Sequence, residues 1–270
     1  MTQIKGPSGA GATASFTLSE GDAVAEIAPG RGGLVTRWAV GADEVLFLDR
    51  ATFEDLGKNV RGGVPLLFPF AGKAPAGSSL PQHGFARKKA WSARDDGGAL
   101  ALKLTDDDET RAAFPFAFEL GMRVTLGART LGLEWTFENR ADQPMPLHFG
   151  IHPYFRVGDK AKVSLSGARG TAFDNTTGQT VQRERVDFSQ GEVDLHFHDF
   201  VPRSTVLSRG GAGADLEVSW TEPFGQLVVW TLPGQPFVCV EPWTAKGQQP
   251  SPHVVPARSR RTASITFTLR

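Results

Sequence analysis

Phe118-Glu119-Leu120-Gly121-Met122-Arg123-Val124-Thr125-Leu126 puts an apolar side chain at every second position. After a short break the alternation resumes at Leu131, Leu133, Trp135 and Phe137. Successive side chains on an extended strand point to opposite faces, so the pair reads as a hairpin with one buried face. Outward along the chain the same period returns at Leu100, Leu102 and Leu104, at Ala214, Leu216, Val218 and Trp220, and at Ala263, Ile265, Phe267 and Leu269. The 31 glycines and 18 prolines are spread along the chain, as frequent turns require. No segment carries the pattern of a helix longer than a few turns. The fold class that follows is all-β: a large antiparallel β-sandwich with few short helices.

Length and composition set the remaining bounds. The 270 residues fit one domain over residues 15–270, behind a mobile tail at residues 1–14 that is rich in Gly, Ala, Ser and Thr and lacks an apolar signal core. Lys+Arg and Asp+Glu both number 29, so no net field favours nucleic acid or an anionic membrane as partner. Cys239 is the single cysteine, which excludes an intrachain disulfide and fits a reducing compartment. No apolar run approaches membrane-spanning length, and the expected location is the cytoplasm.

Chemistry-bearing side chains concentrate in four stretches. In Pro146-Leu-His-Phe-Gly-Ile-His-Pro-Tyr-Phe155, His148 and His152 are separated by an even number of residues and share a face if the backbone is extended. Pro153 ends the ladder, so the chain leaves the sheet at His152. A core histidine bonded to backbone is the alternative for either, and no HExxH or Cys/His cluster supports a metal. In Phe237-Val-Cys-Val-Glu-Pro-Trp-Thr244, Glu241 ends a buried apolar run, where a carboxylate is costly unless paired or used. It is either a structural acid or a general base beside an aromatic floor at Trp243. Pro81-Gln-His-Gly-Phe-Ala-Arg87 offers the amide of Gln82, the imidazole of His83 and the guanidinium of Arg87 to a polyhydroxylated ligand. Arg61, at the head of Arg61-Gly-Gly-Val-Pro65, could with Arg87 hold a phosphate or carboxylate. The two glycines after Arg61 permit close backbone approach.

Two further polar groups stand out. Asp194-Leu-His-Phe-His-Asp199 reads as a metal strand or as a solvated, substrate-lining strand, and Asp199, where a new segment begins, is the member placed near a site. Thr105-Asp-Asp-Asp-Glu-Thr110 reads as a solvated loop, because it lacks the ligand spacing of a calcium loop.

Taken in order, Arg61-Gly-Gly-Val-Pro65, Gln82-His-Gly-Phe-Ala-Arg87, His148-Phe-Gly-Ile-His-Pro-Tyr-Phe155 and Glu241-Pro-Trp-Thr244 resemble the aldose 1-epimerase (mutarotase) superfamily, nearest its hexose-6-phosphate branch. The resemblance spans roughly Arg31 to the C-terminus. It implies a β-sandwich whose open face holds one monosaccharide or sugar phosphate. It also implies Glu241 as general base, His152 as general acid and His83 close to the sugar. Gln82, Arg61 and Arg87 match substrate contacts of the phosphate-using branch, and Asp199 matches the substrate-binding aspartate, with Asp194 five residues away. No metal or organic cofactor is implied. Ring opening by an ionised Glu241 and a cationic His152 predicts a bell-shaped pH profile near neutrality. The alternatives are a non-catalytic sugar-binding or sensor protein, and a glycoside hydrolase or lyase using Glu241 with Asp199.

Overall fold

A computed structural model describes residues 2–74, 76–198, 200, 202–245 and 253–270. Among these the architecture is β throughout, with only the short α-helices Arg50–Glu54 and Asp108–Ala113 and a few 3-10 turns. One eight-stranded antiparallel sheet runs, in spatial order, Val163–Leu165, Ser204–Arg209, Leu216–Trp220, Arg260–Leu269, Thr130–Asn139, Phe118–Leu126, Ala99–Thr105 and Ser92–Asp95. The alternation that opened the reading forms its centre. Leu126 pairs with Leu131, Met122 with Trp135, and Leu133 with Ile265 of the C-terminal strand.

A second eight-stranded sheet runs Gln179–Arg183, Gly170–Asp174, Val193–Phe197, Gln226–Thr231, Phe237–Trp243, Gly150–Ile151 and Leu66–Leu67, with Tyr154–Arg156 also pairing to Phe237–Trp243. The two sheets meet through aromatic contacts: Trp135 lies 5.0 Å from Phe149, Phe137 4.6 Å from Phe149, and Phe155 5.2 Å from Phe267. One apolar cluster runs through both, from Leu18 to Leu269. Such edge-to-face pairs add to plain area burial.

Residues expected to form a tail differ in the structure. Gln3–Ser8 pairs with Ser15–Glu20 as the edge strand of a five-stranded sheet. Only Ile4 of that strand turns inward, against the core cluster. An almost wholly exposed edge strand leaves no period-two signal to read. The acidic run also has a structural explanation. Asp107 caps helix Asp108–Ala113 in a reciprocal box with Thr110, and Asp107 and Glu109 both pair with Lys89.

Candidate functional site

Strand Phe237–Trp243 is buried along its whole length, and its two faces differ in chemistry. Val238 and Val240 join the core cluster. The other parity turns Cys239, Glu241 and Trp243 to the outer face of the second sheet. Register then assembles a site. Phe173 pairs with His196, His196 with Val228, and Val228 with Glu241, which makes one row across four strands. In the next row Asp194 pairs with Trp230, Trp230 with Cys239, and Cys239 with Tyr154. These rows floor a cavity of about 360 Å³ lined by His152, Glu241, Trp243, His83, Gln82, Lys73, Asp194, His196, Asn175, Phe173 and Trp230, among others.

His152 reaches this cavity because the chain around it is braced by the Gly62-Gly63 segment. The His152 amide donates to the Pro65 carbonyl at 2.9 Å, and the Tyr154 amide to the Gly63 carbonyl at 2.9 Å. A methyl group on Gly63 would lie 2.3 Å from the Val35 carbonyl oxygen, and its φ of +64° is a glycine conformation. The imidazole stacks on Tyr154 at 4.8 Å and meets the edge of Trp230 at 5.4 Å. Its Nε2 lies 3.4 Å from Glu241 Oε1. The other carboxylate oxygen, Oε2, accepts the indole N–H of Trp243 at 3.2 Å.

His83 sits opposite, held at a φ of +65°. Its Nδ1 accepts the Gly72 amide at 3.0 Å, which leaves the proton on Nε2. That nitrogen lies 3.3 Å from the Gln82 side-chain amide, so the amide oxygen belongs there as acceptor. The His83 ring is 5.9 Å from both His152 and Trp243. Asp194 completes the rim by accepting from Asn175 at 2.7 Å and bonding His196 Nε2 at 2.9 Å.

Burial dominates the electrostatics. Glu241 is 1% exposed, and burial, reinforced by Asp194, pushes its carboxyl well above the usual range against the opposing Trp243 bond. Burial, with His83 and Arg87 adding, pulls His152 well below the usual imidazole range. His83 falls to about 3 for the same first reason and is neutral. Both shifts favour the uncharged forms, a protonated Glu241 and a neutral His152. Both directions run against an ionised Glu241 beside a cationic His152, because desolvation disfavours each ion.

Cys239 offers a third donor atom, and those of His152, Cys239 and Glu241 all lie within 4.8 Å of one another. Burial pushes the thiol well up as well, and the protonated forms of thiol and carboxyl are poor metal ligands.

The aldose 1-epimerase family model matches residues 14–256. The chain belongs to the aldose 1-epimerase family. Over its full fold it is similar to the Slr1438 protein from Synechocystis sp. PCC 6803, with 33% identity, 94% of each chain covered and a TM-score of 0.90. A galactose mutarotase-like protein from Lactobacillus casei has the same fold at 21% identity and a TM-score of 0.75, covering 95% of this chain and all of that one. A protein of Escherichia coli K12 that carries the provisional name glucose-6-phosphate 1-epimerase is 38% identical over 132 residues. That match spans 47% of this chain and 43% of the relative, so less than half of either is compared.

Within this epimerase-family site, the sequence-derived residues fall into three groups. His152, Glu241, Trp243, His83 and Gln82 line the cavity. Arg61 and Arg87 stand outside its lining. Arg87 donates from Nη2 to the Gln82 carbonyl at 2.8 Å, and both charges act on the Tyr154 hydroxyl. Asp199 lies outside the described residues, whereas Asp194, the alternative, lines the cavity. His148 does not share the face of His152. It packs on Phe70 at 5.0 Å and is 4% exposed, because the regular strand between the histidines extends only over Gly150–Ile151.

Sequence reasoning passed over Lys73, Phe173, Asn175 and Trp230, and placed His196 only within a strand read as metal-binding or as solvated and substrate-lining. The available signal was parity: Trp230 and His196 occupy the positions that pairing to the Glu241 strand turns outward. Gly150 was also passed over. A methyl group there would lie 2.5 Å from Trp243 Cδ1. Gly150→Ala is expected to displace the indole from Glu241 and lower turnover by up to about 10²-fold, the cost of a misplacement near 1 Å. Steady-state turnover of the variant checks this, and an unchanged rate means that the indole is not a positioning contact.

Proposed function

We propose that this chain interconverts the α and β anomers of an aldohexose, with a hexose 6-phosphate favoured over the free sugar, by acid–base ring opening. The observation that carries it is the His152–Glu241 pair at 3.4 Å in a polar cavity with an aromatic floor. A cyclic aldose changes anomer when O1 loses its proton, O5 gains one, and the C1–O5 bond breaks to the open-chain aldehyde. Rotation about C1–C2 and closure on the other face reverse the transfers. Glu241 takes the O1 proton and His152 delivers one to O5, which needs a single proton on the pair. Sugar hydroxyls donating to Glu241 replace the hydration it lacks and favour its ionised form. Gln82, His83, Asp194 and Trp243 hold the ring.

The substrate preference rests on charge. Lys73 is the one Lys or Arg among the described lining residues, and it forms no ion pair with Glu241 or Asp194 among them. Arg61 and Arg87 add positive charge on the His152 side, where O5 and therefore C6 of the ring would lie. The test is anomer exchange of glucose, galactose and glucose 6-phosphate by polarimetry or exchange NMR. Binding without faster exchange favours a sugar sensor, and release of reducing sugar from an oligosaccharide favours the glycoside hydrolase alternative.

The pH dependence follows from the shifts. The working state carries one proton on the pair, so it is lost on the acid side when His152 also protonates. It is lost on the alkaline side when Glu241 ionises. The first limit is pushed below the imidazole's ordinary 6.5 and the second above the carboxyl's ordinary 4.5. The expected rate profile is a bell whose acid limb belongs to His152 and whose alkaline limb belongs to Glu241. An alkaline limb that persists unchanged in the residual activity of Glu241→Gln contradicts it.

A further inference from the structure

The row that runs from Phe173 to Glu241 carries one polar ring that the proposed chemistry does not use, the imidazole of His196. His196 is 5% exposed, and its ring meets the edge of Trp243 at 5.4 Å. Its Nε2 lies 2.9 Å from Asp194 Oδ1. A carboxylate only accepts, so the proton belongs on Nε2. The other ring nitrogen, Nδ1, is buried with no partner among the described residues. A leucine would pack against Trp243 in this place without leaving a polar atom orphaned. The bond to Asp194 is what a histidine adds there.

The same carboxylate is held from a second side. Asn175 Nδ2 donates to Asp194 Oδ2 at 2.7 Å, and the Asn175 amide donates to the Asp194 carbonyl at 2.8 Å. The turn that presents Asn175 is itself tied down. Buried Asp174 accepts the Thr176 amide at 3.1 Å and the Thr176 hydroxyl at 2.6 Å, and the Gly178 amide closes on the Asp174 carbonyl at 2.8 Å. Each oxygen of Asp194 thus has its own donor, while its side chain keeps 18% exposure and lines the cavity. Both oxygens can accept a further bond, which leaves room for a sugar hydroxyl. The strand of Asp194 lies two places from that of Glu241, about 10 Å by the usual strand spacing. That is the far side of a ring whose C1 lies at Glu241 and His152.

We propose that His196 is a positioning residue: with Asn175 it clamps both oxygens of Asp194, and so fixes, before sugar enters, the carboxylate that holds the end of the ring remote from C1. This rests on the reading that Asp194 holds the ring. Ordering the carboxylate in the free protein lowers what binding must spend on it. Asp194 touches no reacting atom, so the clamp serves the bound sugar and the transition state alike. Its loss belongs in KM, with kcat kept.

His196→Leu removes the donor and keeps an apolar contact with Trp243, whereas His196→Gln keeps an N–H within reach of Asp194. Steady-state anomer exchange of glucose 6-phosphate reads KM and kcat, calorimetry reads the Kd of the same sugar phosphate, and thermal unfolding checks the fold. His196→Leu is expected to raise KM and Kd roughly ten-fold with kcat within about three-fold, and His196→Gln to recover most of that loss. In an Asp194→Ala background the change to leucine should cost at most about two-fold, since its partner is gone. Asn175→Ala alters an exposed side chain, should raise KM in the same way, and decides the matter if His196→Leu does not fold. The proposal is overturned by a wild-type KM in the folded variants, by a fall in kcat with KM unchanged, by equal losses in His196→Leu and His196→Gln, or by a loss that multiplies in full with that of Asp194→Ala. A wild type that binds glucose 6-phosphate without accelerating exchange removes the catalytic reading, and the Kd series then decides the clamp by itself.

Discussion

Glu241→Gln is expected to lower anomer exchange by about 10²–10⁴-fold, the range contributed by one positioned acid or base. The substitution keeps volume and an oxygen that can accept the Trp243 indole N–H, so it isolates proton transfer from packing. It should not cost stability at neutral pH. Glu241 has a folded pKa raised by burial. Such a group contributes stability fully below its unfolded value and loses it as pH rises through the folded value. Thermal unfolding of the wild type should therefore weaken with rising pH relative to Glu241→Gln. A variant with both wild-type turnover and a wild-type pH dependence of unfolding would falsify the assignment of Glu241 as the proton acceptor.

His152→Ala is expected to have a loss of similar size, about 10²–10⁴-fold. Truncation opens space between Tyr154, Trp230 and His83, so packing contributes to the change. Two readouts separate the causes. Free imidazole diffusing into the vacated space should restore part of the rate if the missing group is a proton donor, and should do nothing if only packing is lost. The double variant with Glu241→Gln should be little slower than either single one, because two groups moving protons on one ring act as a unit. Stability here runs the opposite way to Glu241. The folded pKa of His152 is depressed, so its contribution is present above the unfolded value and lost as pH falls. Multiplicative losses with no imidazole rescue would assign His152 to structure alone.

The two halves of the site differed in how readable they were. Glu241 and Trp243 stood out because a carboxylate at the end of an apolar strand needs an explanation, and His152 because proline follows it. Arg61-Gly-Gly was readable as a close backbone approach, and its role is to brace the His152 segment. Trp230, Phe173 and Asn175 were not readable. Each sits in a segment that looks like any other strand or turn, and only cross-strand register puts it beside Glu241. His148 misled, because even spacing places two residues on one face only while the backbone stays extended.

What the chain's order of residues determined was the β class and the central hairpin, and it singled out His152 and Glu241 as the proposed acid–base pair. Those depend on local periodicity and on the cost of burying a charge, both of which act along the chain. What tertiary structure alone decided was which partners surround that pair and in which direction burial shifts its two members. Pairing between strands far apart in sequence sets the first. The second follows from exclusion of water at 1% exposure for Glu241, a property of the packed sheet that no single segment carries.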